Sequence, residues 1–224
     1  MRSLYDRPST FISSMDIEDC SFEDCDLSYW QDPDRHSVVR DVTVRNCKVR
    51  SCAIGNAIIE NCVLENLKWP GLWTVQGTVF RHVTLTGQFG DLMIVSWFLG
   101  GAQVFPSSVI ERHESWYRMF NSQTDWALDI SKAKFRGFTV RGLPARLIRR
   151  DPGTQLMVTA RRLRNTDWKE IDYSGTYADG IIEEMFEYGF EDAIIVAPNK
   201  KPSEFKRFLE VFEAMRMAGI AEPD

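Results

Sequence analysis

Acid–base chemistry in this chain would have to involve its three histidines, His36, His82 and His113. The sequence predicts a loop around the first, a tight turn at the second and a short helix around the third. A Ser–His–Asp triad is assembled in space and needs no fixed spacing. The chain, however, contains no nucleophile elbow, no phosphate-binding glycine loop and no HExxH motif. We therefore predict a protein that is not an enzyme and has no catalytic residue, no cofactor and no metal ligand.

Charge is distributed unevenly along the chain, whose net charge is −5. Residues 1–34 contain nine acids and two bases, residues 132–164 ten bases and one acid, and residues 165–224 fourteen acids and six bases. The basic stretch could contact nucleic-acid phosphates. No aromatic pattern is interleaved with it, and an acidic stretch follows at once. We therefore expect ion pairing within the chain and predict no nucleic-acid partner.

A second candidate surface is a group of six carboxylates near the start of the chain. Its members are Asp16, Glu18, Asp19, Glu23, Asp24 and Asp26. Such a strip can be a solvated edge that discourages strand addition. It can equally be a docking surface for a basic partner, and the sequence leaves both readings open.

Five cysteines, at positions 20, 25, 47, 52 and 62, are five or ten residues apart within two blocks. This spacing is not that of a zinc motif. An odd number of cysteines in a chain without a signal peptide indicates reduced thiols, so we expect a cytoplasmic protein. We predict that these cysteines are small buried core residues.

The cysteine spacing belongs to a longer pattern with a period of five, from Val42 to Gly71. It reads VTVRN, CKVRS, CAIGN, AIIEN, CVLEN and LKWPG. The third residue of each five is apolar, the first is apolar and mostly small, and the fifth is Asn, Ser or Gly, which tolerate left-handed backbone. This period fits neither a helix nor an alternating strand. It fits a chain that turns a corner every five residues, with Val44, Val49, Ile54 and Ile59 in one shared interior.

The same phase appears at residues 10–29, 78–87 and 128–142, giving fifteen fives that cover 75 of the 224 residues. On these motifs the chain resembles the pentapeptide-repeat proteins. The resemblance implies a right-handed quadrilateral β-helix, a solenoid in which each coil packs on its neighbours. It implies little about function, because function lies in sites carried by the fold.

The expected fold is therefore mainly β, with a helical insertion in the solenoid and a small α/β unit after it. We assign residues 1–145 to the solenoid, about 106–127 to the insertion, and 146–224 to the C-terminal unit. Residues 1–9 are expected to cap the open end. The insertion is predicted to hold a helix over 107–120, with a Ser108–Glu111 capping box and an apolar stripe of Val109, Trp116 and Phe120.

The C-terminal unit is predicted from its alternating and helical patterns. TQLMVTARRLR alternates as a strand would, and residues 168–173 could be its hairpin partner. Residues 177–188 and 203–218 have apolar residues at helical spacing, each ending at a glycine. Residues 193–197 form a continuous apolar run, typical of a buried strand.

The function we expect is a non-enzymatic protein-binding scaffold, because a solenoid offers flat walls and its interruptions supply shaped protrusions. The layout is similar to small bacterial immunity-type or inhibitor proteins, which sequester a protein partner. The candidate partner-binding residues are Trp30, Asp32, Asp34, Trp73, His113, Trp116, Arg146, Arg149 and Arg150. We expect no membrane segment, and a homodimer is one option for the oligomeric state.

Two alternatives stay open. The best-known pentapeptide-repeat proteins resemble DNA in shape and charge and bind type II topoisomerases such as gyrase. Residues 35–100, however, carry seven bases and four acids, so this rod is not uniformly acidic. The other alternative is an enzyme whose site lies between the solenoid and the C-terminal unit and uses Arg149, Arg150, Asp151 or His113.

Overall fold

The structure of the protein, a computed structural model, describes residues 9–28, 35–96 and 105–222. Within these residues the fold is mainly β and contains a large curled parallel sheet. The strands up to residue 149 are β1 (Phe11–Glu18), β2 (Ser21–Glu23), β3 (Asp26–Leu27), β4 (Ser37–Arg45), β5 (Lys48–Arg50), β6 (Ala53–Gly55), β7 (Ala57–Glu60), β8 (Val63–Glu65), β9 (Leu72–Gln76), β10 (Val79–Arg81), β11 (Val83–Val95), β12 (Leu128–Arg141) and β13 (Ile148–Arg149). All of them belong to the curled sheet except β2 and β5, which pair with each other.

The strand pairs of the curled sheet are parallel, and most join residues about twenty apart. Strand β4 pairs with β7 with Val38 opposite Ile58, an offset of 20 residues. The offset grows to 27 where β1 meets β4, with Phe11 opposite Val38. It grows to 45 where β11 meets β12, with Val83 opposite Leu128. The chain thus returns to the same lateral position after about four fives, and the larger offsets hold the predicted interruptions.

The predicted corners are confirmed for the second block of fives. The residue before that block, Asp41, and the fifth residues from Asn46 to Asn66 all have φ between 50° and 55°. Left-handed backbone is uncommon outside glycine, and Asn and Asp tolerate it best. Gly71 and Gly87, at the same phase, also have positive φ. A left-handed residue every fifth position is what turns these short strands around the sheet.

In the last block of fives the corner at Gly142 is present, with φ of 81°, but the two corners expected before it are wrong. Strand β12 runs without a break from Leu128 to Arg141, and neither Lys132 nor Gly137 is left-handed. The only irregularity is a register shift near its start, where the Asp129 carboxylate accepts hydrogen bonds from the Ser131 amide (3.0 Å) and hydroxyl (2.6 Å). Strand β12 is instead held straight by long parallel pairing with β11.

The expected interior residues do share one apolar core. Val49 and Ile59 are buried in it, and Val44 and Ile54 are half-buried against it. The cysteines are less uniform than predicted, and none forms a disulfide. Cys47 and Cys62 are buried, the thiols at positions 25 and 52 are half-buried, and Cys20 is exposed. Uniform burial of the cysteines is therefore wrong, since exposure rises toward the first strands.

The insertion holds helix α1 (Ser107–Ser122), in the position the sequence predicts. The capping box is wrong, because the N-cap residue is Pro106 and no side chain caps the first turn. The expected apolar stripe is also not the buried face, which consists of His113, Tyr117 and Asn121. After the helix the chain returns to the sheet as β12, so the helix is an excursion from it.

The C-terminal unit has strands β14 (Gln155–Thr159) and β15 (Asp192–Val196) and helices α2 (Ala160–Leu163), α3 (Ala178–Glu187) and α4 (Pro202–Met217). The two later helices and β15 match the predicted elements. The predicted hairpin is wrong, because β14 pairs antiparallel with β15. Residues 168–170 form instead a short 3-10 helix.

Strand β15 joins the C-terminal unit to the curled sheet through its two faces. Ile194 and Val196 pack into the core of the sheet, while Ala193 and Ile195 pack into the core of the C-terminal unit. The buried Gln155 adds polar links, because its amide donates to the carbonyl oxygen of Ile130 (2.9 Å). The two parts of the chain therefore present a continuous surface.

Candidate functional site

Helix α1 lies on the curled sheet through a polar and aromatic face. His113, Tyr117 and Asn121 are spaced four residues apart on this face, and each is only 3–4 % exposed. Residues four apart on a helix lie above one another. On the neighbouring face Trp116 stacks on His36, with ring centroids 3.7 Å apart and an angle of 10° between the planes. Because these polar groups are buried between helix α1 and the sheet, the contact between the two is sensitive to protonation.

His113 is held as a neutral donor. Its Nε2 lies 3.1 Å from the carbonyl oxygen of Ser96, which can only accept, so Nε2 carries the proton. The pKa of His113 is lowered from its ordinary 6.5 to about 4, mainly by burial. The hydrogen bond to Ser96 opposes this change, and the charge of the nearby His36 adds to it. Burial also raises the pKa of Tyr117, and the Asn121 carboxamide opposes that rise. The helix is therefore docked by uncharged groups at neutral pH.

A buried carboxylate beneath the end of α1 provides the second attachment. Glu60 is 6 % exposed and accepts hydrogen bonds from Arg40 Nε and Arg81 Nη1, each at 3.0 Å. Arg81 also lies over the ring of Phe120 in α1, with 4.5 Å from its guanidinium carbon to the ring centroid. Two cations offset the cost of burying one carboxylate. They also place a flat cationic surface under the helix.

Acidification should destabilise the fold through His113. Because its folded pKa lies below its unfolded value, the unfolded state binds more protons between about pH 4 and 6.5. Stability is full above that window and falls as the pH drops through it, by about 2 kcal/mol between pH 7.5 and pH 5. We expect His113→Gln to remove this pH dependence in urea unfolding, whereas the exposed His82→Gln should keep it. Equal pH dependence in both variants would contradict the assignment.

An open groove of about 690 Å³ lies between helix α1 and the C-terminal unit. Ser96 and three segments line it. The segments are one face of α1 (Glu114, Tyr117 and Arg118), the turn after β12 (Gly142, Leu143 and Pro144), and residues 188–192, which end at the first residue of β15. Its volume is within the range of about 300–1,000 Å³ that ligand-binding clefts usually have. The insertion and the C-terminal unit, which both leave the curled sheet, thus form a concave surface together.

The groove combines an aromatic lining with a mainly acidic rim. Tyr188 is 51 % exposed, and its ring lies 5.8 Å from that of Phe190. Glu114, Glu191 and Asp192 contribute three carboxylates, against the single guanidinium of Arg118. These charges favour a cationic occupant. The exposed rings offer apolar contact area to the body of such a group.

Asp192 is the most perturbed carboxylate of the groove. Burial raises its pKa, while a hydrogen bond from the Ala145 amide (2.9 Å) and the charge of Arg146 oppose the rise. A buried carboxyl in a cleft can serve a proton transfer. It can equally fix the turn at Ala145, and the hydrogen bond supports that second role.

The predicted partner-binding residues occupy several different places. His113 is buried beneath α1 and Trp116 is stacked on His36, so both attach the helix. Trp73 is half-buried against the sheet core, where its Nε1 donates to the Cys52 carbonyl oxygen (2.9 Å). Contact of His113 with a partner stays a prediction, and the side chain is 3 % exposed in this fold. Trp30, Asp32 and Asp34 lie outside the described residues.

The predicted arginines lie in the segment from the 3-10 helix at residues 145–147 to the end of β13 and the residue after it. Arg146 and Arg149 are exposed and Arg150 is half-buried. Arg149 lies over the ring of Trp126 at 4.1 Å, and the neighbouring His82 bonds Asp125 at 2.7 Å. Arg146 lies near the groove, because its charge acts on Asp192.

The pairing expected between basic and acidic stretches is present in part. Arg141 forms two hydrogen bonds with the Glu184 carboxylate, at 2.6 and 3.1 Å. Arg162 forms an ion pair with Glu222 at 2.9 Å. These contacts attach the end of β12 and helix α2 to the acidic part of the chain, as the charge distribution predicts.

The acidic strip near the start of the chain faces basic residues on the next strands. The register places Glu18 opposite Arg45 and Glu23 opposite Arg50. Arg45 then lies opposite Glu65 on the other side, with its Nε 3.6 Å from that carboxylate. Opposite charges thus alternate across neighbouring strands, an arrangement that stabilises sheets.

The sequence analysis missed the groove residues Tyr188, Phe190 and Glu191. The sequence feature that could have indicated them is the end of helix α3, where Gly189 separates Tyr188 and Phe190. That segment predicts an exposed turn and does not indicate what it faces. Its neighbours in the groove come from residues 96–144, which lie far away in sequence.

The part of the chain that the structure describes has neither a metal-binding cluster nor a membrane-spanning helix. No three His, Cys, Asp or Glu side chains converge there to hold a metal ion. No helix in those residues has the length and apolar character needed to span a bilayer. The chain matches no protein-family model, no curated protein and no solved structure.

Proposed function

We propose that the curled parallel sheet belongs to a right-handed quadrilateral β-helix of the pentapeptide-repeat type. Three features support the proposal: strand offsets of about twenty residues, a left-handed residue at every fifth position of residues 42–66, and one apolar core shared by the first and third positions. Four straight segments and four corners make one coil of twenty residues. A cytoplasmic, bacterial origin would fit reduced thiols and this repeat.

We infer that the protein is a non-enzymatic scaffold that binds another protein. The groove between α1 and the C-terminal unit carries this inference, because two elements that leave the sheet shape it together. Rigid sheets with shaped additions place binding residues precisely. A scaffold of this kind could act as an immunity-type or inhibitor protein by occupying a functional surface of its partner.

The occupant we propose is a basic segment of the partner protein, with apolar side chains between its cationic ones. Three rim carboxylates against one guanidinium attract Lys or Arg. The exposed Tyr188 and the neighbouring Phe190 provide apolar surface for the residues between them. A metabolite of the same charge would contact the rim carboxylates but would cover only part of the groove.

The alternation of charges across the strands counts against DNA mimicry. A DNA mimic needs continuous negative charge along its length, whereas Arg45 lies between Glu18 and Glu65 on successive strands. Arg40 and Arg81 likewise flank Glu60. We therefore rank binding to a topoisomerase below binding of a basic partner segment in the groove.

Charge reversal in the groove should weaken binding of a basic peptide. We expect a fluorescent peptide of alternating lysine and leucine to bind the intact protein, and its glutamate counterpart not to bind. Glu114→Lys with Glu191→Lys should weaken the lysine peptide about tenfold or more, equivalent to roughly 1.4 kcal/mol. The weakening should shrink at high salt, because screening reduces interactions between exposed charges.

The control is Asp167→Lys with Glu170→Lys, which reverses two carboxylates at exposed residues that do not line the groove. It should leave the affinity within about twofold, since a distant charge is largely screened. If the control weakens binding equally, or if both peptides bind equally well, the groove is not the binding site. Binding of the lysine peptide would then reflect general electrostatic attraction.

A further inference from the structure

Four of the five cysteines face one another in pairs across neighbouring strands. Strand β2 pairs in register with β5, with Ser21 opposite Lys48, so the preceding residues Cys20 and Cys47 are neighbours. Strand β3 pairs with β6, with Asp26 opposite Ala53, which places Cys25 beside Cys52 in the same way. Neighbouring strands lie about 4.8 Å apart. Disulfides join residues whose Cα atoms are about 4.4–6.8 Å apart, so both pairs are within range.

The thiols of each pair also have the same orientation. Each sulfur lies 3.1–3.3 Å from the carbonyl oxygen of the residue two positions earlier in the chain, which ends the preceding strand. Cys47 Sγ in addition accepts a hydrogen bond from the Cys20 amide at 3.3 Å. The same contact thus recurs at all four thiols, and a disulfide would require rotation about χ1.

Access to the thiols differs between the two pairs. Cys20 is exposed and Cys47 is buried, whereas Cys25 and Cys52 are both half-buried. Burial raises the pKa of Cys47 and of Cys52, so these two remain thiols at neutral pH. An oxidant in solution therefore reaches Cys20 most easily. The second cysteine is then held next to it, as a resolving thiol must be.

We propose that Cys20–Cys47 and Cys25–Cys52 are oxidisable thiol pairs that form disulfides between the first and second turns of the sheet. The oxidant would be a peroxide. The Cys20 thiol loses its proton, and the thiolate attacks one oxygen of hydrogen peroxide. The O–O bond breaks and the leaving hydroxide takes up that proton, so a sulfenic acid and one water form. The Cys47 thiol then attacks that sulfur and releases a second water, so two thiols are oxidised and one peroxide is reduced.

Cys62 provides an internal comparison for this proposal. The register places it beside Val42 on one side and Val83 on the other, so neither neighbour is a cysteine. It is buried, and burial raises its pKa. Its thiol should stay free under conditions that link the other four.

The test is hydrogen peroxide treatment of the reduced full-length chain, followed by alkylation and mass spectrometry without reduction. Cleavage at Glu23 separates Cys20 from Cys25, and cleavage at Arg50 separates Cys47 from Cys52, so the pairing can be read directly. We expect one alkylated thiol, at Cys62, and exactly the two cross-strand links. Each link closes a loop of about 27 residues, so the midpoint of thermal unfolding should rise by about 5–10 °C.

Two variants complete the experiment. Cys20→Ser with Cys25→Ser should leave Cys47 and Cys52 free and remove the rise in unfolding temperature. Cys62→Ser should keep both links. Five free thiols after treatment, links between chains, a Cys20–Cys25 link, or a terminal sulfinic acid on Cys20 would each overturn the proposal.

Discussion

Replacing Phe135 by alanine should cost about 3–5 kcal/mol of the free energy of unfolding. Phe135 is fully buried in β12, and its ring lies 5.3 Å from that of Phe89 and 4.5 Å from that of Phe138. Truncation loses the transfer energy of the ring and leaves a cavity that these rings fill only in part. The loss is a large fraction of the 5–15 kcal/mol that a typical domain has.

Urea unfolding followed by tryptophan fluorescence measures this loss. The matched control is Phe11→Ala, because Phe11 is 61 % exposed and its truncation should change stability by about 0.5 kcal/mol or less. Equal effects of the two substitutions would mean that β12 does not pack into the sheet core as described.

Gly87→Ala should destabilise the protein by about 2–4 kcal/mol. Gly87 has φ of +82°, and a methyl group there would lie 2.0 Å from Asn66 Oδ1. That oxygen accepts a hydrogen bond from the Gln88 amide (2.9 Å), and Asn66 Nδ2 donates to Asn46 Oδ1 (3.2 Å). The substitution therefore strains the backbone and also displaces the side chain that connects three corners.

Gly71→Ala separates these two contributions. Gly71 has a comparable φ of +68°, but nothing lies within 4 Å of an added methyl group. It should cost only about 1 kcal/mol, the price of left-handed backbone alone. If both variants unfold at the same urea concentration, the stacked corner at Asn66 contributes nothing and the register there is in error.

The corners and the core were predictable from the sequence because both follow from local chemistry. Asn46, Asn56 and Asn66 repeat every ten residues, and their side chains tolerate the left-handed backbone that they adopt. The same rule failed at Lys132 and Gly137, where long pairing with β11 keeps β12 extended. Glycine permits a corner but does not require one.

The face of helix α1 could not be predicted from apolar periodicity. The apolar positions Val109, Trp116 and Phe120 suggested one face, but the sheet beneath offers the Ser96 carbonyl and Arg81. A polar partner makes burial of His113 acceptable. Likewise β14 found its partner in β15, more than thirty residues away, and turn signals cannot indicate such distant pairing.

The groove was unpredictable for a related reason. Its lining joins α1, the turn at 142–144 and the segment at 188–192, which come together only when the insertion and the C-terminal unit both dock on the sheet. The charge distribution did predict that acidic and basic stretches meet, as Arg141 and Glu184 do. It did not indicate which carboxylates lie at the rim, where Glu114 forms an ion pair with Arg118 at 3.5 Å.

Site-specific photo-cross-linking in the native host tests the central claim most directly. A benzoylphenylalanine replaces Tyr188 in the groove or, as the control, Leu72, which is 59 % exposed on the sheet. We predict that position 188 captures one partner protein, through a peptide that contains Lys or Arg, and that position 72 does not capture it. Capture of the same proteins at both positions, or capture at position 72 alone, would contradict the groove as the binding site.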